Sequence, residues 1–404
     1  MNRLLKGGMA LVLAFLPVLH PLLSPAVDQL TGLTGMTDSP YYRYEIRGQA
    51  SVSLRLSQSL WEGGATAARV TMEKARLGNA RYLYADAASS LAFDAIYAHV
   101  DVLRQGKLVE LARRNVADYE KTIAMLHSRV QNGLATEGDI NLVESRLYRA
   151  KGVAAEYESS LLAAKANFQK ATGMPVPKHL APVEKPKHLY KNVNAVVTAC
   201  KTSHPRVLAQ QELVAASLAE EKSAQAAFWP KLGAELGPRW QFQDTPQDKK
   251  NHGFEAMLTA QWNFYDGGAS TAAYKRTTAK TRQARHECQN VMESLEAEIY
   301  GTWAQYDATR ERISLYAKSM QTAQMARNIY YEQYLLGTKG LLDILDADNE
   351  YFVAACQYEI ANGDYVIAAY RLLALGGELL DRMNIALPEI GTTEAQKARK
   401  PVKR

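Results

Sequence analysis

The sequence has 404 residues, 22% of them charged, and its formal net charge is +6. This mild positive charge does not indicate nucleic-acid binding, because basic and acidic residues are interleaved except in a basic stretch at 397–404. Three cysteines without CxxC spacing, scattered histidines without an HExxH motif, and the lack of a nucleophile elbow or a GxxxxGK[ST] loop favour neither an enzyme, a metal site nor a cofactor.

The first 26 residues have the pattern of an export signal. Arg3 and Lys6 form a positive end, residues 9–19 form an apolar core, and Ala26 ends a small-residue cleavage site. We therefore predict an exported protein with a signal peptide at 1–26. The alternative is an uncleaved apolar N terminus on a cytosolic protein.

The rest of the chain contains two copies of one sequence unit. A shift of 204 positions superimposes the two copies without a gap over roughly 120 residues, which indicates an internal duplication. The shift brings Gly63, Gly64, Gly133, Asp139 and Gly173 onto Gly267, Gly268, Gly337, Asp343 and Gly377. We divide the chain into a first repeat (27–173), a proline- and lysine-rich connector (174–194), a second repeat (195–377) and a disordered basic tail (378–404).

Segments of alternating polarity precede each long helix. Residues 52–60 and 255–264 each predict a strand with one polar face, 231–242 predict a further strand, and 41–47 predict a weaker one. The apolar faces either cover a core, as in a soluble protein, or face lipid, as in an outer-membrane β-barrel whose polar face lines water. Large aromatic residues at or near the strand ends fit the second possibility: Trp61, Trp229, Trp240, Trp262 and Tyr265.

A long helical run follows each strand, after a Gly-Gly pair that lets the chain turn sharply. Spacing of alternately four and three residues predicts a coiled-coil seam in the first run. Its positions are Leu91, Ala95, Ala98, Val102, Gln105, Val109, Ala112, Val116, Tyr119, Ile123, Leu126 and Val130. The equivalent seam of the second run is weaker and includes Arg327. A helix of roughly 65 residues would be on the order of 100 Å long.

Each long helix is predicted to end at a glycine, Gly133 or Gly337, and a shorter helix begins within about six residues. In the first repeat the new N terminus is capped by Thr136 or Asp139, and in the second by Thr338 or Asp343. The shorter helix at 139–172 is about half as long as its partner. Residues 193–227 are the candidate for covering the remainder of one repeat, and no candidate is found for the other.

The duplicated order of strand, Gly-Gly turn, long coiled-coil helix, glycine break and shorter helix resembles the TolC family of outer-membrane efflux and secretion channels. Residues 56–64 (LSQSLWEGG) and 262–268 (WNFYDGG) resemble the strand-end motif of that family. Residues 334–346 (YLLGTKGLLDILD) are similar to its helix-tip segment. The resemblance covers residues 49–377.

The resemblance implies a mainly α fold with a β-barrel portion. Three copies would form a transmembrane β-barrel, which a periplasmic α-helical tunnel continues. The tunnel tip would stay closed until an inner-membrane transporter and a periplasmic adaptor protein engage it. The implied function is an outer-membrane exit duct of a tripartite efflux pump or type I secretion system, with outer-membrane lipid around the barrel.

The resemblance also implies a gate at the tip. Asp343 and Asp346 would form inner rings that favour cations, two carboxylates from each of three copies. Tyr334 and Lys339 would hold the tip shut against the loop near Asp139. The family has arginine where this chain has Lys339, which keeps the charge but loses the two-pronged hydrogen bonding.

Local chemistry offers simpler roles for the same residues. Asp343 and Asp346 lie near a helix start, where acids favour the helix dipole. Tyr334 is also a seam residue, and Lys339 is also explained as a solvated lysine. Gly133 and Gly337 are expected to be structural, and they also fit helix-tip turns that face an adaptor.

The sequence departs from the family pattern at its beginning. The first repeat of the family opens with a helix and a strand, whereas only about 14 residues separate the predicted cleavage site from Tyr41. Either sequence upstream of Met1 is missing, or the protomer contributes three strands. An unpaired strand edge in lipid is costly, which favours the first possibility. A non-membrane coiled-coil scaffold is the alternative to the channel.

Overall fold

The structure is a computed structural model that describes residues 49–186, 189–243 and 251–387. The predicted signal peptide (1–26), the weak strand (41–47) and the basic end of the chain (397–404) lie outside the described residues. So does most of the polar loop between the second and third predicted strands.

The described residues form a mainly helical protein with a small β portion, as the sequence predicts. The strands are β1 (Gln49–Ser53), β2 (Leu56–Trp61), β3 (Lys231–Gln243) and β4 (Asn251–Gln261). The helices are α1 (Ala65–Gln131), α2 (Glu137–Thr172), α3 (Val193–Ser203), α4 (Pro205–Gln225), α5 (Ala269–Leu335), α6 (Leu341–Leu375) and α7 (Leu379–Arg382). A single 3-10 turn (Ala226–Phe228) follows α4.

The duplication is visible in the backbone. Helices α1 and α5 both have 67 residues, and their first and last residues differ by the same 204 positions. Eight of the described glycines have φ between 61° and 87°. They are Gly63, Gly64, Gly133 and Gly173 and their counterparts Gly267, Gly268, Gly337 and Gly377. The Gly-Gly turns and glycine breaks predicted from the sequence are therefore confirmed.

The predicted helix seams lie inside the fold. Eleven of the twelve seam positions of α1 are buried or half-buried, whereas Leu91 is 57% exposed. None of the twelve equivalent positions of α5 is exposed, although that seam looked weaker in the sequence. Its polar members Thr309 and Arg327 are accommodated by hydrogen bonds and ion pairs, which an apolar pattern does not reveal.

The strands form one antiparallel sheet with β3 at its centre. β1 and β2 lie end to end along one edge of β3, and β4 pairs with the other edge. The register places Leu56 opposite Leu236 and Leu258 opposite Ala234. The predicted apolar positions of β2 and β4 therefore share one face of the sheet with Leu236 and Ala234 of β3, and their predicted polar positions share the other.

The single strand predicted over 52–60 is interrupted. β1 ends at Ser53 and β2 begins at Leu56. The interruption lies opposite Gly237 and Pro238, because the register is the same on both sides of it. The Leu54 N–H donates to the Pro238 carbonyl at 3.1 Å. Proline has no N–H, so it cannot donate the return hydrogen bond to Leu54. The third predicted strand is displaced as well, because β4 ends at Gln261, before Trp262 and Phe264.

The described chain separates into two compact units, and each contains parts of both repeats. Of the described residues, unit 1 comprises 49–74, 215–243 and 251–282, and unit 2 comprises 75–186, 189–214 and 283–387. In unit 1, strand β2 of the first repeat pairs with β3 of the second. The repeats therefore record the duplication and are not separate folding units.

Unit 1 leaves the apolar face of its sheet open. Val52, Leu54, Leu60 and Leu258 are each more than half exposed. On the opposite face, Arg55 lies 3.8 Å from Glu235, and a second ion pair joins neighbouring strands. Among the described residues nothing covers the apolar face, so it is not part of a core that these residues form.

Unit 2 holds the apolar core. One cluster joins the two helical hairpins and contains Tyr119, Leu126, Ile140, Val143, Leu147, Ala150, Tyr334, Ile344 and Leu345. A second cluster packs α3 against α5 and the end of α6 and contains Val196, Val197, Cys200, Val207, Leu295, Ile299 and Leu375. Residues 193–207 thus cover part of the second repeat. The sequence offers 193–227 as the cover for one repeat without identifying which one.

The irregular connector covers the remaining apolar surface that had no candidate. Val176 and Leu180 pack on a cluster of α1 and α2, and Val183 and Tyr190 pack on a cluster of α1 and α6. The tail prediction is wrong at its start, because Leu379 is fully buried in the latter cluster. Residues beyond 387 lie outside the described part of the chain.

Candidate functional site

The two turns between long and short helices have the same backbone geometry. The Gly133 N–H donates to the Val130 carbonyl at 3.0 Å, and the Leu134 N–H donates to the Arg129 carbonyl at 2.8 Å. In the second repeat, the N–H groups of Gly337 and Thr338 donate in the same pattern at 3.1 and 2.9 Å. Together these two hydrogen bonds form the Schellman motif, which needs a residue with positive φ at the glycine position. Gly133 and Gly337 are therefore structural.

The next helix begins with an aspartate at the same place in both repeats. In the first, Thr136 is the N-cap, and its N–H donates to Asp139 Oδ2 at 2.9 Å. In the second, the Gly340 N–H donates to Asp343 Oδ2 at 2.9 Å. Both first-repeat candidates thus take part in the cap. Thr338 does not cap the second helix, because its hydroxyl donates to the Gln333 carbonyl one turn back.

Asp346 lies one turn beyond Asp343 on α6 and pairs with the other repeat. Two guanidinium nitrogens of Arg146, on α2, lie 3.1 Å from Asp346 Oδ1. The Asp346 side chain is 72% exposed. The arginine partner has no signal in the sequence, because the two residues are 200 positions apart and occupy non-equivalent places in the repeats.

Tyr334 and Lys339 have different surroundings. Tyr334 is buried in the cluster that joins the hairpins, with the Arg129 guanidinium 4.7 Å from its ring centroid. Burial raises the pKa of the Tyr334 hydroxyl, with the charge of Asp139 adding to the rise. The Lys339 ammonium lies 4.5 Å from the Tyr330 ring centroid and 3.5 Å from Asp343 Oδ1.

The structure therefore brings Tyr334, but not Lys339, against the first repeat. Both contacts of Lys339 given above are within the second repeat, and Asp139 is engaged by Thr136. The predicted role of Tyr334 and Lys339 as a latch remains a prediction.

A partly buried ion cluster links three helices close to this region. Arg327 on α5 lies 2.6 Å from Asp118 Oδ2 on α1, and its Nε donates to Asp348 on α6. The Asp348 side chain is only 14% exposed. The sequence did carry a signal for this cluster: an arginine at a seam position requires a buried partner.

The Gly-Gly turns belong to unit 1 and are not equivalent in their surroundings. A Cβ on Gly63 would lie 2.8 Å from the Trp229 Cβ and 2.9 Å from the Ala226 carbonyl oxygen, whereas a Cβ on Gly64, Gly267 or Gly268 would meet nothing within 4 Å. Gly63 therefore permits a close approach between the first repeat and the start of β3, where Trp61 and Trp229 form an edge contact at 6.4 Å.

The described residues contain no group of three or more His, Cys, Asp or Glu side chains placed to hold a metal. Within the same part of the chain, no helix combines the length and apolar character that crossing a membrane requires. All three cysteines are free and buried.

Comparisons with known proteins found a matching family model, relatives in sequence and similar solved structures. The family model described as "Outer membrane efflux protein" matches residues 31–174 and 197–378. The outer membrane efflux protein BepC of Brucella suis is 23% identical over 373 residues, which cover 92% of this chain and 81% of BepC. The alkaline protease secretion protein AprF of Pseudomonas aeruginosa is 20% identical over 72% of this chain and 62% of AprF. A crystal structure of CusC superimposes with a TM-score of 0.76 at 13% identity, over 84% of this chain and 80% of CusC.

Proposed function

The chain belongs to the outer membrane efflux protein family, and on that premise we propose that three copies form an exit channel in the outer membrane. The channel would serve a tripartite efflux pump or a type I secretion system, with a periplasmic adaptor and an inner-membrane transporter as partners. BepC is named as an efflux protein and AprF as a protease secretion protein, so relatives of both kinds support this class of function.

The observation that carries the proposal is the open apolar face of the sheet in unit 1. The face is continuous over three strands, and no described residue covers it. The opposite face carries two ion pairs between strands. A sheet that is apolar on one side and charged on the other fits a barrel wall between lipid and water. Neighbouring copies would pair with the strand edges.

Unit 2 supports the tunnel part of the proposal. Two antiparallel hairpins with apolar seams pack around a shared cluster, which is the expected repeating element of a helical tube. Energy would come from the partners, since the sequence has no phosphate-binding GxxxxGK[ST] loop. A coiled-coil scaffold without a membrane role would explain the seams, but it gives no reason for an uncovered apolar sheet.

We expect the purified protein to be a trimer in detergent and to form channels in a planar lipid bilayer. The reason is that the described residues of one copy neither pair with the outer sheet edges nor cover the apolar face. Light scattering in detergent gives the oligomeric state, and single-channel recording gives the conductance. Recovery of a soluble monomer from the periplasm, without conductance, would support the scaffold and contradict the channel.

The turn region is the proposed gate. Asp343 and Asp346 would line the constriction, with Tyr334, Lys339 and Asp139 in its support. Since carboxylate rings bind multivalent cations, replacing both Asp343 and Asp346 with alanine should abolish the block of single-channel current by such cations. Asp139→Ala controls for the loss of a helix-cap carboxylate, because Asp139 holds the equivalent cap in the first repeat and is not one of the two proposed ring carboxylates. Unchanged block in the double variant would place the constriction elsewhere.

A further inference from the structure

The carboxylate of Asp346 is exposed, yet an arginine of the other repeat neutralises it. Nη1 and Nη2 of Arg146 are both 3.1 Å from Asp346 Oδ1. The Asp346 side chain is 72% exposed and the Arg146 side chain 26%. The arginine is therefore the more buried partner, and it lies behind a carboxylate that solvent reaches.

This pair is not a remnant of the duplicated unit. The counterpart of Asp346 in the first repeat is Leu142, and the counterpart of Arg146 in the second is Glu350. Nor does Asp346 have the role that explains Asp343, whose carboxylate accepts the N–H at the start of α6 just as Asp139 does at the start of α2. Asp346 and its partner thus need an explanation other than helix capping.

The charges of the proposed constriction are compensated in this conformation. Asp343 faces Lys339 at 3.5 Å, and Asp346 faces Arg146 at 3.1 Å. Each copy therefore contributes two carboxylates and two cations rather than two bare carboxylates. A unit charge about 4 Å away changes the binding constant of an ion at least about fivefold even in fully hydrated surroundings. Compensation of this kind must weaken cation binding compared with an uncompensated ring.

We propose that Arg146 sets the cation affinity of the constriction by neutralising Asp346, so that the channel tolerates multivalent cations that bare carboxylates would retain. The inference rests on the proposed channel function. It assigns a selectivity role to a residue of the first repeat, outside the tip segment that supplies the carboxylates.

The test compares La³⁺ block of single-channel current in planar bilayers for four proteins besides the wild type. Arg146→Gln should lower the half-blocking La³⁺ concentration about tenfold or more, because three copies each lose a compensating charge. Arg149→Gln, which removes the same charge from an exposed position three residues further along α2, should leave it within about twofold. Asp346→Asn should raise it, because it leaves the Arg146 charge uncompensated, and Arg146→Gln combined with Asp346→Asn should bring it back toward the wild-type value, because the pair is neutral in both proteins.

The outcomes separate this inference from the proposed function. If no variant and no wild-type protein conducts, the channel itself is wrong and the inference falls with it. If Asp346→Asn weakens the block but Arg146→Gln leaves it unchanged, the channel stands and Arg146 has no such role. Should Arg146→Gln fail to assemble, Arg146→Met takes its place, because it keeps an unbranched side chain and removes the charge, and the same fall in the half-blocking concentration is expected. Block in Arg146→Met that stays within about twofold of wild type would overturn the inference.

Discussion

Replacing Gly377 with alanine should destabilise the protein by about 2 to 5 kcal/mol. Gly377 ends α6 with φ of 78°, a conformation that costs an L-residue about 1 to 2 kcal/mol. Its Cβ would also lie 2.7 Å from the carbonyl carbon and oxygen of Ser203 and 2.8 Å from the Cα of His204. These are backbone atoms, so no side chain can rotate away, and overpacking of this kind adds about 1 to 3 kcal/mol.

The chain provides its own control for this experiment. Gly173 is the counterpart of Gly377 in the first repeat, with φ of 71° and nothing within 4 Å of its Cβ position. Gly173→Ala should therefore cost only the conformational part, about 1 to 2 kcal/mol. Thermal unfolding of both variants, followed by far-ultraviolet circular dichroism in detergent, measures the difference. Equal losses would show that the junction between α3, α4 and the end of α6 yields to an added methyl group.

Much of the fold could be predicted because the duplication presents the main local patterns twice. The helix limits of α1 and α5, the Gly-Gly turns and the glycine breaks each occur at two places related by the same shift. The ends of the strands were less predictable, because they depend on the partner strand. Pro238, on β3, interrupts the segment opposite it, and the alternation of residues 52–60 gives no sign of that.

The candidate site was predictable only where a residue acts within its own helix. The capping positions of Asp139 and Asp343 follow from their distance to the glycine turn. The partner of Asp346 depends on how the two hairpins pack, and the contact of Lys339 with Tyr330 depends on how one hairpin closes. A single sequence reports neither. Leu379 is a further example, because the sequence predicts a disordered tail from residue 378 and the side chain of Leu379 is fully buried.

Replacing Arg327 with isoleucine should destabilise unit 2 even though isoleucine suits the seam. Ile123 occupies the equivalent position of the first repeat, so the side chain itself fits the pattern. The loss arises from Asp118 and Asp348, which would remain without their cation. Removing one partner of a buried pair costs about 3 to 5 kcal/mol, and the partial exposure of Asp118 and Arg327 lowers our expectation to about 2 to 3 kcal/mol.

The pH dependence distinguishes this electrostatic cause from a simple loss of packing. Burial raises the pKa of the Asp348 carboxyl, and Arg327 opposes that rise. Without Arg327 the folded-state pKa should rise further above its unfolded value of about 4. An acid with a raised folded-state pKa loses stability as the pH rises from the unfolded value through the folded one. The deficit of Arg327→Ile should therefore be largest at neutral pH and shrink as the pH falls toward 4. Adding Asp348→Asn should remove most of this dependence, whereas a deficit that stays constant with pH would contradict it.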